Sequence, residues 1–323
     1  MHKQSAIKMM NKYGTTKTPF LFIVDFEMKA LIVHRLDKIN NFEIRYDING
    51  TKNYITPTIL LKNILFTKQF VSFNRYQSAF SKVKRHIANG NTYLLNLTFP
   101  TKVKINLSLE EIFYRSRAKY KLCFQNKFVV FSPETFIRIH NNKISSYPMK
   151  GTINASIPNA KQILLSDPKE LAEHNTIVDL IRNDLSMVAK NVRVERFRYI
   201  DKIKTHNKNL LQVSSKIVGE LGRDYRSNIG DIIFALLPAG SISGAPKKKT
   251  IQIIKETENY KRGYYTGVFG YFDGNNLDSG VMIRFIEKTG KQLKYKSGGG
   301  ITSMSDSKSE YQELIDKVYV PIV

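Results

Sequence analysis

The sequence predicts an α+β fold built mainly from antiparallel sheet, and three observations carry the prediction. Short apolar runs of strand length alternate with amphipathic stretches whose apolar residues recur every three or four positions. The breaks between runs are turn signals such as Asn49-Gly50 and Asp273-Gly274-Asn275, of the kind that join neighbouring antiparallel strands. The chain has 323 residues, 42% of them apolar and 11% aromatic, enough for a sizeable core and too apolar for disorder. With no internal repeat and no linker-like stretch, one domain is expected over residues 1–323. A short-stranded region at 1–73 would lead into a larger core at 74–323.

Element by element, Met1 to Lys17 reads as polar and basic, and Phe20 to Val24, Ala30 to Val33 and Phe42 to Tyr46 as strands. Asn74 to Ala88 is helical because Tyr76, Phe80, Val83 and Ile87 share one face, and Asn89-Gly90 ends it. Alternation from Tyr93 through Leu95 and Leu97 to Phe99 predicts a strand over Thr92 to Phe99, followed by a helix over Leu109 to Lys119. Strands follow at Lys127 to Phe131, Thr135 to His140 and Lys143 to Tyr147, then a long helix at Lys169 to Val188 and a strand within Asn207 to Gly219. Helices are expected at Ile229 to Leu236 and Pro246 to Glu258, and strands at Gly267 to Phe272 and Ser279 to Glu287. A strand at Gln292 to Lys296 should run into the Gly298-Gly299-Gly300 segment before a last helix at Lys308 to Tyr319.

Composition excludes several classes. Cys123 is the single cysteine, which rules out an intrachain disulfide and a cysteine zinc site and fits a reducing compartment. The run Phe20 to Val24 is too short to span a bilayer, so a soluble cytoplasmic protein with no membrane partner is expected. The formal charge of +24 comes from 51 basic and 27 acidic residues spread along the chain, without a block or arm. The densest cluster is Lys247-Lys248-Lys249. A diffuse positive field favours an anionic metabolite over nucleic acid as the partner.

Lys150 stands between Pro148 and Gly151-Thr152, residues that fix the backbone and let it approach a ligand. An amine held there either attacks carbon or binds an anion. Glu170 and Glu173 lie three apart on one helix, and Glu310 and Glu313 repeat the spacing on another, with Lys317 four residues on. Four carboxylates gathered together would need a cation, and an all-oxygen donor set suits Mg²⁺. Spacing alone leaves a second reading open, that each pair is a solvated face. The segment Pro238 to Pro246, which contains Ser243, opens a helix whose free amides favour an anion, and Gly298 to Gly300 would let amides approach a ligand. Arg284, after Val281-Met282-Ile283, could clamp a carboxylate.

Together these residues resemble the chorismate-utilising enzymes. Six motifs stand in that family's order between about Asn74 and Val320: Ser132-Pro133-Glu134, Pro148 to Thr152, Glu173-His174 with Asp179 to Asp184, Pro238 to Lys247, Gly298 to Ile301, and Glu310 to Glu313. The resemblance implies a chorismate-binding α/β/β/α sandwich, two antiparallel-rich sheets face to face and flanked by helices. Anthranilate synthases carry alanine before the Gly-Thr pair. Lysine at position 150, sixteen residues after Glu134 (150 − 134), resembles the aminodeoxychorismate synthase component I branch.

That branch implies Mg²⁺-dependent amination of chorismate at C4, with Lys150 as nucleophile and Glu134 as proton donor. It also implies direct metal ligation by Glu173 and Glu313, with Glu170 and Glu310 acting through water. Lys317 and the amides near Gly151, Thr152 and Gly300 would hold the ring carboxylate. Tyr265, Arg284 and the Gly298 amide would hold the enolpyruvyl carboxylate, and Ser243 would be a further substrate-binding residue. No glutaminase segment accompanies these motifs, so ammonia is expected either free or from a separate glutamine amidotransferase subunit. The alternative is anthranilate synthase component I or another synthase of the family. The chain departs from the family at Gln212, where many members carry histidine. It also has Leu94 where water-adding members carry a lysine, which argues against water as the nucleophile.

Overall fold

The computed structural model describes residues 1–58, 63–204 and 209–322. They form two compact units, each assembled from three stretches of the chain. One unit comprises Met1–Asp37, Glu134–Ser241 and Val268–Gly280, and the other Lys38–Pro133, Ile242–Gly267 and Val281–Val323. Each holds a nine-stranded antiparallel sheet, so the α+β class with two large antiparallel sheets is observed.

In the first unit the strand order is Met149–Asn154, Asn209–Glu220, Lys143–Ser146, Thr135–His140, Leu277–Val281, Val268–Phe272, Phe20–Val24 and Leu31–Arg35, with Lys190–Lys204 also on Asn209–Glu220. Phe20–Val24 is buried at every position. That explains an unbroken apolar run where a half-exposed strand would alternate. The helix Pro168–Ser186 begins at Asp167, whose carboxylate accepts from the Lys169 and Glu170 amides at 2.8 and 3.0 Å. Pro168 takes the first helical turn, where no amide partner is needed. Ile177, Val178, Leu180, Ile181 and Leu185 form its buried stripe.

A helix over Lys3–Thr15 was not expected from the polar, basic N-terminus. Its buried face is Ala6, Ile7, Met10 and Gly14. A side chain at Gly14 would meet the Arg226 carbonyl at 1.8 Å, so glycine is what permits the close approach.

In the second unit the order is Gly244–Ala245, Leu94–Ile105, Gln292–Ile301, Phe285–Thr289, Phe128–Ser132, Tyr120–Phe124, Ile44–Ile48 and Thr51–Lys52, with Phe66–Gln69 on Leu94–Ile105. Its core includes Ile112, Phe113, Val129, Phe131, Ile286, Tyr295 and Val318. Helix Leu109–Arg115 opens with a capping box between Ser108 and Glu111. It stops at Arg115, short of the expected Lys119, because Ser116 is extended and its hydroxyl donates to the Phe113 carbonyl at 3.1 Å.

Three other expectations are corrected. The single strand expected over Ser279 to Glu287 is two, Leu277–Val281 and Phe285–Thr289, and they belong to different sheets. Arg284 has φ +54, which no continuous strand accommodates. The strand expected over Gln292 to Lys296 continues through the glycines to Ile301, with Gly298 and Gly300 opposite Thr98 and Asn96. Tyr93 does not join the inward face and is 64% exposed, the strand beginning at Leu94. The start of the Asn207 to Gly219 strand lies outside the described residues, and the strand is described from Asn209 to Glu220.

Lys121 is an unusual core residue. It is 5% exposed, donates to the Ser116 carbonyl at 3.0 Å and lies 4.8 Å from the Phe113 ring centroid. Burial pushes its amine down to about 8 from 10.5. Below that folded value both states carry the proton and the folded chain bears the cost of a buried charge. Between about 8 and 10.5 the unfolded state binds more protons, so this contribution to stability rises with pH. The shift corresponds to about 3 kcal/mol. Lys121→Met is therefore expected to be more stable than the parent by about 3 kcal/mol at pH 7, the gap closing towards pH 10. Urea denaturation at both pH values measures it, and an equal gap at the two would refute the assignment.

Candidate active site

In the first unit, Lys150 lies on Met149–Asn154, opposite Val213, and the register slips between Lys150 and Thr152. The slip is a bulge at Gly151, whose φ is +70. A side chain there would fall 3.0 Å from Glu170 Oε2 and 2.9 Å from Leu164 Cδ1, so both space and backbone call for glycine. Gly151-Thr152 is thus a kink within a strand, and it sets where Lys150 projects. Thr152 Oγ1 accepts from Gln212 Nε2 at 3.3 Å, so the residue in place of the family histidine braces this run.

Lys150 Nζ donates to Glu173 Oε2 at 2.6 Å, with side chains 22% and 7% exposed. The carboxylate expected to bind metal holds the amine expected to attack carbon. Lys169 Nζ lies 3.9 Å from the other Glu173 oxygen. Next to it, His174 is buried, with Nε2 2.7 Å from Ser215 Oγ. Its Nδ1 has no hydrogen-bond partner among the described residues. Burial, and then the charges of Arg198 and Lys150, push His174 down to about 4, so it is neutral near pH 7.

Glu134 is half-buried at the entry to Thr135–His140 and accepts from the Ser241 hydroxyl. Glu134, Ser146, Tyr147, Asp184 and Ser241 help to line a cavity of about 20 Å³, room for about one water. Ser241 lies in the Pro238 to Pro246 run, but nothing in the sequence distinguishes it there from Ser243. Losing its hydroxyl removes one orienting hydrogen bond from Glu134, so Ser241→Ala should lower the rate of any step using Glu134 by about tenfold. Steady-state kcat is the measurement.

The second unit holds the other candidates. Glu310 is 2% exposed on Ser307–Asp316, and Glu313 on the same helix pairs with Lys317. Lys317 Nζ also donates to the Gly298 carbonyl at 2.9 Å. A side chain at Gly299 would crowd Glu310 Oε2 at 3.2 Å and only touch the Glu313 carboxyl carbon at 3.6 Å, so the glycine gives the Glu310 carboxylate room. Tyr265 is 3% exposed and Ser243 is fully buried. Beside Ser243, Gly244 has φ +128 and a side chain there would meet the Leu94 carbonyl at 1.9 Å. Arg284 stacks its guanidinium 5.4 Å from the Tyr319 ring centroid, and its buried Nε has no hydrogen-bond partner among the described residues. That leaves a donor for an anion.

Glu170 and Glu173 form one pair in the first unit and Glu310 and Glu313 another in the second, and all their donor atoms are oxygen. Among the described residues no group of three or more His, Cys, Asp and Glu is gathered as a metal set. A carboxylate pair fits Mg²⁺ in kind, because that ion keeps several waters among its six ligands. No helix among the described residues is long and apolar enough to cross a membrane.

Residues 14–322 match the family described as chorismate binding enzyme. The chain is 52% identical over 320 residues to the "Uncharacterized PabA-like protein" of Haemophilus influenzae, covering 99% of this chain and 97% of that one. It is 34% identical over 269 residues to anthranilate synthase component 1 of Aquifex aeolicus, covering 78% and 52%, and 32% identical over 259 residues to aminodeoxychorismate synthase component 1 of Bacillus subtilis, covering 76% and 54%. The chain thus spans about half the length of those two synthases. Among solved structures, a 2,3-dihydroxybenzoate-specific isochorismate synthase described as putative, DhbC of Bacillus anthracis, is similar in fold. The TM-score is 0.72 at 18% identity, over 98% of this chain and 87% of that one.

Proposed function

We propose that this chain, which belongs to the chorismate binding enzyme family, aminates chorismate at C4 with ammonia to give 4-amino-4-deoxychorismate. The observation that carries the reading is Lys150: a half-buried primary amine, set by a glycine bulge and anchored on Glu173. A covalent route divides one difficult displacement into two easier ones. Lys150, once deprotonated, attacks C2 through its nitrogen, the ring double bonds shift, and the C4 hydroxyl departs as water with a proton from Glu134. Ammonia then adds at C4, the double bonds return, and the lysine nitrogen leaves C2. Ser241 holds Glu134 in the orientation that this proton transfer needs.

Arg284, Tyr265 and the Gly298 amide are assigned the enolpyruvyl carboxylate. Ser243, Lys317, Gly151, Thr152 and Gly300 are assigned the rest of the substrate. Magnesium, if held by Glu173 and Glu313 with Glu170 and Glu310 acting through water, would supply Lewis acidity as the hydroxyl leaves. Ammonia is proposed to come from a separate glutamine amidotransferase subunit. Glutamine alone should therefore give no product with the purified chain, whereas ammonium should.

A second reading, anthranilate synthase component 1 activity, is favoured by the similarity to the Aquifex aeolicus protein of that name. Product identification from chorismate, Mg²⁺ and ammonium separates the two. 4-Amino-4-deoxychorismate supports the proposal, and anthranilate with pyruvate overturns it.

A further inference from the structure

Four groups assigned to substrate in the second unit, Ser243, Tyr265, Gly298 and Gly300, adjoin in sequence or pair across strands with residues that a single buried ion pair bonds. Glu258 closes helix Lys247–Glu258 and Arg262 follows four residues later, each 1% exposed. Arg262 Nε and Nη2 donate to the two Glu258 oxygens at 2.9 and 2.6 Å. The remaining donors reach three other segments. Nη1 donates to the Ile242 carbonyl, one residue before Ser243, at 2.9 Å. It also donates to Thr266 Oγ1, one residue after Tyr265, at 3.4 Å. Nη2 donates to the Asn96 carbonyl at 2.5 Å. Glu258 Oε1 accepts from the amide and hydroxyl of Thr98 at 2.9 and 2.8 Å. Asn96 and Thr98 are the cross-strand partners of Gly300 and Gly298. The Arg262 carbonyl accepts from the Tyr265 amide at 3.2 Å and from Lys296 Nζ at 2.8 Å.

Burying such a pair is poorly explained by stability, since apolar residues of similar volume commonly do as well or better. What apolar residues cannot do is hold carbonyls and hydroxyls from several segments in one fixed fork. We propose that Glu258 and Arg262 are positioning residues: they lock the Ser243 turn, the Tyr265 loop and the Gly298–Gly300 strand together as one grip for the carboxylates of chorismate. The inference rests on the reading that this chain acts on chorismate.

The test is steady-state turnover of chorismate with Mg²⁺ and ammonium by the full chain and three variants, each with a thermal midpoint. Glu258→Leu/Arg262→Met should fold with a lowered midpoint, because it takes hydrogen-bond partners from the Ile242 and Asn96 carbonyls and the Thr98 amide, and should keep kcat within about threefold while KM for chorismate rises at least about tenfold. Arg262→Lys keeps the charge but lacks the fork, so it should not restore KM. A folded double variant with parental KM overturns the proposal, as does rescue by lysine. If the double variant does not fold, Glu258→Gln decides: it should fold and raise KM, and parental KM there overturns the proposal. If the parent itself consumes no chorismate, the functional reading fails first and this inference falls with it, an outcome distinct from parental KM in an active variant.

Discussion

Lys150→Arg is expected to fold like the parent and to lose C4 amination by about three orders of magnitude in kcat. Arginine keeps a cation beside Glu173 but stays protonated, so it can hold the carboxylate and cannot attack carbon. Lys150→Ala should lose as much activity and also stability, because it takes the nearer of two cations from a carboxylate that is 7% exposed. The comparison separates chemistry from packing. Whatever product survives in Lys150→Ala should shift towards substitution at C2. Unchanged 4-amino product from either variant, measured by chromatography with mass detection, would remove Lys150 from the mechanism.

Glu134→Gln should lower kcat by about 10²- to 10⁴-fold with little change in KM. Glutamine preserves an acceptor for the Ser241 hydroxyl, so the local structure should hold while the proton is lost. The loss should be larger than that of Ser241→Ala, because the serine orients the acid and does not replace it. Should Glu134→Gln turn over at the rate of the parent, the proton for the departing hydroxyl comes from elsewhere.

The elements legible in the sequence are those where periodicity and end signals agree. Phe73–Ala88 carries Tyr76, Phe80 and Val83 inward and ends at Asn89, as its spacing predicts. Thr135–His140 has the bounds that its pattern predicts. Misreadings occur where tertiary contacts outweigh local preference. Glycine is a poor strand residue, yet Gly298 to Gly300 is strand because Leu94–Ile105 pairs with it residue by residue. The apolar run through Met282 hides the break that Arg284 imposes. The basic strand Lys190–Lys204 has no clean alternation to betray it.

For the candidate site, residue types were legible and their partners were not. Nothing in the sequence links Lys150 to Glu173 or Ser241 to Glu134, since those bonds span 23 and 107 residues. The Glu258–Arg262 pair has a local signature, opposite charges four apart at a helix end in an acid-poor chain. That signature is shared by exposed helical pairs, and only burial sets this one apart.

The central claim is that the Lys150 nitrogen bonds to the substrate ring. Mixing the protein with chorismate and Mg²⁺ without ammonia, quenching in acid and measuring the intact mass tests it most directly. The account predicts a species heavier than the protein by chorismate less one water, with the label on the peptide containing Lys150 and absent from Lys150→Arg. Amination of chorismate at full rate with no such species at any quench time, or a label on another residue, would contradict it.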